Sequence, residues 1–138
     1  MPENEELLTI VYVSAATRLM SDEALEELLA KARERNAQLG ITGLLLYRDG
    51  NFMQALEGPD AAVSELYASI GRDPRHHHVL TIINEHGGRR EFGDWAMAYG
   101  RIDVRRWNEI LSRLTPPGEA LSTGVAKNIL HEFWKTTN

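Results

Sequence analysis

The chain predicts an α+β fold: a βαββαβ core with one additional strand, its helices on one face of the sheet, and two C-terminal helices covering the other. Three observations lead there. Segments that alternate at a period of two are interleaved with segments that repeat at the helical period. Asp49-Gly50 joins two of the alternating segments, a strong hairpin signal because glycine supplies the positive φ of a tight turn. Two further helical stripes, separated by Pro116-Pro117-Gly118, follow the last alternating segment. A βα unit followed by a hairpin and then αβ is the split βαβ, or ferredoxin-like, arrangement, in which the first and third strands are neighbours at the sheet centre. Both core helices then lie on one face, and the tail helices are the natural cover for the other.

Leu8 to Ser14 is the first strand, with Leu8, Ile10 and Tyr12 on one face and Thr9, Val11 and Val13 on the other. Ser21 N-caps the first helix, Asp22 and Glu23 suit its positive end, and Gly40 stops it just past Gln38. Strands at residues 41–47 and 51–57 form the hairpin; Gly58-Pro59 breaks the second, and Pro59 opens the next helix. That helix buries Val63, Leu66, Tyr67 and Ile70 and ends at Gly71. After the turn Asp73-Pro74-Arg75 come a strand from Val79 to Glu85, a loop with Arg89 and Arg90, and a short strand setting Trp95, Met97 and Tyr99 on one face. In the tail, Val104, Trp107, Ile110, Leu111 and Leu114 form one stripe; Leu121, Val125, Ile129, Leu130 and Phe133 form the other. Residues 1–100 are read as the functional domain and 101–138 as a helical extension of the same globular unit.

Composition narrows the function classes. A chain of 138 residues, 43% hydrophobic and 25% charged, suits a single ordinary domain. No apolar run approaches the roughly 20 residues that span a bilayer, and the acidic start Met1-Pro2-Glu3-Asn4-Glu5-Glu6 lacks the features of a signal peptide, so a cytoplasmic location away from membranes is expected. Zero cysteines exclude disulfides, thiolate metal sites and cysteine nucleophiles. A net charge of -5 with a pI near 5.5 argues against nucleic acid as a partner, and the pairs Arg89-Arg90 and Arg105-Arg106 are expected to be solvated.

The most informative residues are two amides at positions that periodicity buries. Asn36 falls one turn beyond Leu25, Leu28, Leu29 and Ala32 on the apolar stripe of the first helix. Gln54 shares a strand face with Phe52 and Leu56, while Met53 and Ala55 make the opposite face apolar too. A buried amide without partners costs about 1–3 kcal/mol, so each needs partners in backbone groups, water or a ligand. Other signals carry less. His76-His77-His78 reads as a polar loop rather than a metal site, because adjacent side chains on an extended segment diverge. Gly40, Gly43, Gly50 and Gly58 lack the spacing of a nucleotide fingerprint, and Ser14 stands in no nucleophile elbow.

Together, Ile10-Val11-Tyr12-Val13-Ser14, Asn36 with Gly40-Ile41-Thr42-Gly43-Leu44-Leu45, Gly50-Asn51-Phe52-Met53-Gln54-Ala55-Leu56-Glu57-Gly58, Arg72-Asp73-Pro74-Arg75-His76 and Phe92-Gly93-Asp94-Trp95-Ala96-Met97 resemble a BLUF domain, a blue-light sensor that uses flavin. Five blocks in order make the resemblance specific. It implies a ferredoxin-like fold with noncovalent FAD, FMN or riboflavin being alternatives, its ring held between the two core helices. By motif position Tyr12 is the electron and proton donor to the excited flavin, Gln54 the amide that rearranges, and Asn36 the binder of the ring edge. Leu28, Ile41, Leu45 and Phe52 fall where the ring is contacted, and Asp73, Arg75 and His76 near its pyrimidine and ribityl side. Trp95 and Met97 match the last-strand pair linked to signalling. Ser69 stands where some relatives carry a basic residue, so a cation for the flavin tail is not assigned there.

The reading that results is a short photoreceptor, not an enzyme, whose output passes to an unidentified downstream protein or to a homo-oligomer. Part of Trp107, Ile110, Ile129 and Phe133 is weighed equally as an interface and as core. The rivals are a small flavin oxidoreductase and a light-insensitive adapter.

Overall fold

Among the described residues of the computed structural model nine elements follow one another: β1 (Leu7–Ala16), α1 (Asp22–Leu39), β2 (Thr42–Arg48), β3 (Asn51–Pro59), α2 (Asp60–Arg72), β4 (His76–His86), β5 (Ala98–Arg101), α3 (Val104–Leu114) and α4 (Thr123–Thr137). The structure describes residues 7–16, 20–74, 76–93, 96–115 and 122–137, without the side chains of 76, 77, 136 and 137. The strands form one sheet in the order β4-β1-β3-β2-β5. β1 and β3 are antiparallel neighbours, as the split βαβ requires, and Tyr12 stands opposite Gln54 in their register. β5 runs parallel to β2 at the far edge.

Local chemistry sets the element ends. The Ser21 hydroxyl accepts the Ala24 N–H at 3.1 Å and starts α1. Gly40, at φ 72°, ends it by donating its N–H to the Asn36 carbonyl, a backbone turn that side chains with a Cβ resist. Asp49 and Gly50, at φ 37° and 91°, make the hairpin turn. Gly43 meets a different demand: a Cβ there would come within 2.2 Å of the Ala55 carbonyl oxygen, so only glycine lets β2 lie this close to β3.

The structure corrects four boundaries or assignments. β3 continues through Gly58 and Pro59, which pair with Leu8 and Leu7, so Pro59 is the N-cap of α2 and not its first helical residue. β4 begins at His76, not Val79, because it pairs with β1 as far as Ala16; the histidines stand in a strand rather than a loop. β5 begins at Ala98, so Met97 lies just ahead of the strand; the carbonyls of Ala96 and Met97 are taken by side chains of α1 instead of a neighbouring strand. Arg90 is not simply solvated: its guanidinium donates to the carbonyls of Gly40 and Glu57 and to the Thr42 hydroxyl.

Strand alternation sorts the core into two layers. Ile10, Tyr12, Leu45, Phe52 and Leu56 face α1 and α2, where Leu25, Leu29, Val63 and Leu66 meet them. Val11, Leu44, Leu46, Met53 and Ala55 face the tail, against Trp107, Ile110, Leu114, Ala126, Leu130 and Phe133. Trp107, Ile110 and Phe133 are therefore core of this chain, which removes them from the interface reading, while Ile129 packs there partly buried. Val104 and Val125, in the first turns of their helices, remain half exposed. The turn at Pro116-Pro117-Gly118, and Leu121, lie outside the described residues.

Candidate functional site

Between α1 and the sheet, beneath the end of α2, lies a recess lined by Tyr12, Leu28, Leu29, Ala32, Arg35, Leu45, Phe52, Gln54, Ile70, Asp73 and Met97. The pairing that places Tyr12 beside Gln54 also places Leu45 on Gln54's other side, so three adjacent strands present Tyr12, Gln54 and Leu45 side by side to the recess. The Tyr12 hydroxyl donates to Gln54 Oε1. Gln54 Nε2 in turn donates to the Met97 sulfur at 3.5 Å. The amide thus has one strong partner and one weak one, since a thioether accepts poorly. Rotation of the amide would instead point Nε2 at the Tyr12 oxygen as a donor and set Oε1 against the Met97 sulfur, which has no proton to give.

Tyr12 is fully buried, and burial first, then the neighbouring Tyr67 phenol, push its pKa far above that of a free tyrosine, while Arg35 pulls the other way. Its proton therefore stays in place near neutral pH. The two tyrosine rings are 5.3 Å apart and tilted, and the Tyr67 hydroxyl shares a hydrogen bond with Thr81.

Seven of the expected residues line this recess: Tyr12, Leu28, Leu45, Phe52, Gln54, Asp73 and Met97. Asn36 and Ile41 instead line a neighbouring cleft of about 320 Å³ with Gly40, Thr42, Arg90 and Gly93. Asn36 is buried as periodicity requires, yet its Nδ2 donates to the Ala96 carbonyl at 2.8 Å, and its Oδ1 accepts from Arg35 Nε at 3.4 Å. Beside it, Arg33 Nε donates to the Met97 carbonyl at 2.9 Å. The helix thereby holds the backbone on which Met97 rides. Arg75 and Trp95 lie outside the described residues; His76 contributes backbone to β4, and its side chain also lies outside them. Among the described residues no group of three or more His, Asp or Glu is arranged to hold a metal ion.

Arg35, Ile70, Leu29 and Ala32 line the recess without having been singled out as site residues. Leu28, Ala32 and Arg35 stand at i, i+4 and i+7, which sets them on one helix face, and Ile70 belongs to the stripe of α2. Spacing held that signal, but an arginine beside an apolar stripe looks like any solvated charge.

A family model described as "BLUF: Sensors of blue-light using FAD" matches residues 7–98. The chain belongs to the BLUF family. It is 51% identical over 129 residues to "Photoactivated adenylate cyclase subunit beta" of Euglena longa, a match covering 90% of this chain and 15% of that protein. It is 30% identical over 112 residues to "Blue light- and temperature-regulated antirepressor BluF" of Escherichia coli (strain K12), covering 81% of this chain and 28% of that one. The structure described as "BlrB - a BLUF protein, dark state structure" superimposes with a TM-score of 0.72 at 32% identity, covering 97% of this chain and 98% of the other. The chain thus spans 15% and 28% of these two curated relatives, and nearly all of BlrB.

The BLUF family is described as sensors of blue light that use FAD, and the recess suits a flavin ring in chemistry. Leu28, Leu45, Phe52 and Ile70 are apolar walls for a flat ring; Gln54, Arg35 and Asp73 offer donors and acceptors to its edge. The recess holds about 50 Å³, and Arg35 also borders a second cleft of about 210 Å³ with Leu39, Ala62, Glu65, Leu66 and Ser69. Small-molecule sites commonly hold about 300 Å³ or more, so this recess is smaller than such sites commonly are.

Proposed function

We propose that this chain is a blue-light photoreceptor in which Tyr12 gives up an electron and a proton, Gln54 rearranges in response, and the segment bearing Met97 carries the change outward. The observation behind this reading is the row from the Tyr12 hydroxyl through Gln54 to the Met97 sulfur, set in a recess of suitable chemistry. When bound, a flavin supplies the absorption of blue light and an excited state that accepts an electron. Tyr12 suits the donor role because its phenol holds both a transferable electron and a proton that burial keeps in place. Gln54 suits the switch because an amide exchanges donor for acceptor by rotation. Asn36 and Arg33 hold the Ala96 and Met97 carbonyls, which keeps the outlet close to the switch.

FAD is the proposed cofactor, following the family's description. FMN or riboflavin would serve the same row, because the recess residues address the ring. We assign these 138 residues themselves no catalysis; their output goes to an unidentified downstream effector or to an assembly of the protein. The relatives support that division, since the region matched in "Photoactivated adenylate cyclase subunit beta" is a small part of a much longer protein. The test is the absorption spectrum of the purified protein before and after blue light. A yellow protein whose flavin band moves reversibly to longer wavelength is expected; a colourless protein that takes up none of the three flavins would end the photoreceptor reading.

A further inference from the structure

The tail face of the sheet holds a buried ion pair that the photochemical row does not use. Lys127 of α4 and Glu57 of β3 meet at 2.9 Å, with side chains 2% and 0% exposed. The arms of the pair reach β1, β2 and the loop 89–92. Lys127 Nζ also donates to Thr9 Oγ1 of β1 at 3.2 Å and to the Arg89 carbonyl at 2.8 Å. Glu57 accepts from the backbone N–H groups of Glu91 and Phe92, both at 2.9 Å, and from the Thr42 hydroxyl at 2.7 Å. One turn further along α4, His131 stands 3.6 Å from Glu91. The loop 89–92 is therefore held simultaneously by β3 and by α4.

Removing two charges from water costs several kcal/mol per ion, and an apolar pair of equal volume often stabilises a fold as well or better. Stability alone is a poor account of this pair; a fixed spatial relation between elements is a better one. Glu57 lies three residues from Gln54 on the same strand, and the loop it holds leads in five residues from Phe92 to Met97. We propose that Lys127 is a positioning residue that couples α4 to the loop 89–92, so that displacement of Met97 is delivered to the C-terminal helix. That coupling stands on the contacts just given; only its use by light rests on the function proposed above.

The test compares hydrogen exchange in darkness for four full-length proteins: the parent, Met97→Ala, E57Q/K127M, and the three substitutions combined. The glutamine keeps an acceptor for one of the two loop N–H groups while α4 loses its ammonium. Met97→Ala should speed exchange several-fold in peptides over 89–92 and over the first half of α4 in the parent background. In the E57Q/K127M background only the loop peptides should respond. Unchanged α4 peptides in Met97→Ala, or equal acceleration in both backgrounds, would overturn the coupling. Should E57Q/K127M not fold, E57L/K127M is the second variant, with the same expected result. In a flavin-loaded sample, blue light should alter α4 exchange in the parent and not in E57Q/K127M, with the same spectral shift in both. A parent that lacks the shift counts against the photoreceptor reading, and the dark comparison still decides the coupling.

Discussion

The two faces of the sheet each bury a polar side chain from β3, and they treat it in opposite ways. On the α1–α2 face Gln54 is a neutral amide with one strong hydrogen bond and one to a sulfur. On the tail face Glu57 is a carboxylate that receives hydrogen bonds from a lysine, a hydroxyl and two backbone N–H groups. The first group has little to lose by turning over, since a neutral hydrogen bond is worth about 0.5–1.5 kcal/mol net. The second would lose far more, because breaking a buried ion pair costs about 3–5 kcal/mol. Movable and immovable points thus sit three residues apart on one strand, and the difference lies in how fully each group is committed.

The largest expected effect sharpens that contrast. Lys127→Met leaves Glu57 buried without its cation, and urea unfolding should show a loss of about 3–5 kcal/mol. A loss below about 1 kcal/mol would mean that the pair is not the fixed point described here. Ile110→Ala tests the same face for packing: the side chain is fully buried, so a loss of about 2–5 kcal/mol is expected. A near-silent substitution would return the tail stripe to the interface reading.

On the other face the structural effects shrink and the spectroscopic ones dominate. Gln54→Leu and Tyr12→Phe should each change stability by no more than about 1–2 kcal/mol, keep flavin, and lose the light-induced shift. A normal photocycle in Gln54→Leu would break the comparison outright, because the movable point would then lie elsewhere. The smallest effect concerns the exposed pair between Asp60 and His86, 2.8 Å apart at the start of α2 and the end of β4. The hydrogen bond from His86, then that from Ser64, hold the Asp60 carboxyl below the ordinary aspartate range. Its contribution is present above the pKa of an unfolded aspartate and fades as acid carries the pH down through the lowered folded value. Acid unfolding curves of the parent and Asp60→Asn should therefore converge at low pH and differ slightly near neutrality; identical curves throughout would remove even this contribution.

Periodicity alone determined the order of the elements, the face on which Tyr12 and Gln54 stand, the burial of Asn36 and the division of the core into two layers. Each of these depends on which way neighbouring side chains point, and a chain of period two or 3.6 carries that information within a few residues. Turn chemistry is equally local, which is why Ser21, Gly40 and Asp49-Gly50 mark their places correctly. The tertiary structure decided what those side chains meet. Asn36 is engaged with the Ala96 carbonyl, Arg90 closes the end of α1, and β5 starts after Met97 because α1 holds the preceding carbonyls. Lys127 and Glu57 are 70 residues apart, and nothing near either one marks it as half of a buried pair. A lysine in an amphipathic helix and a glutamate at a strand end look solvated until the path of the chain brings them together, because a local pattern encodes direction whereas a partner is fixed only by distance in the folded state.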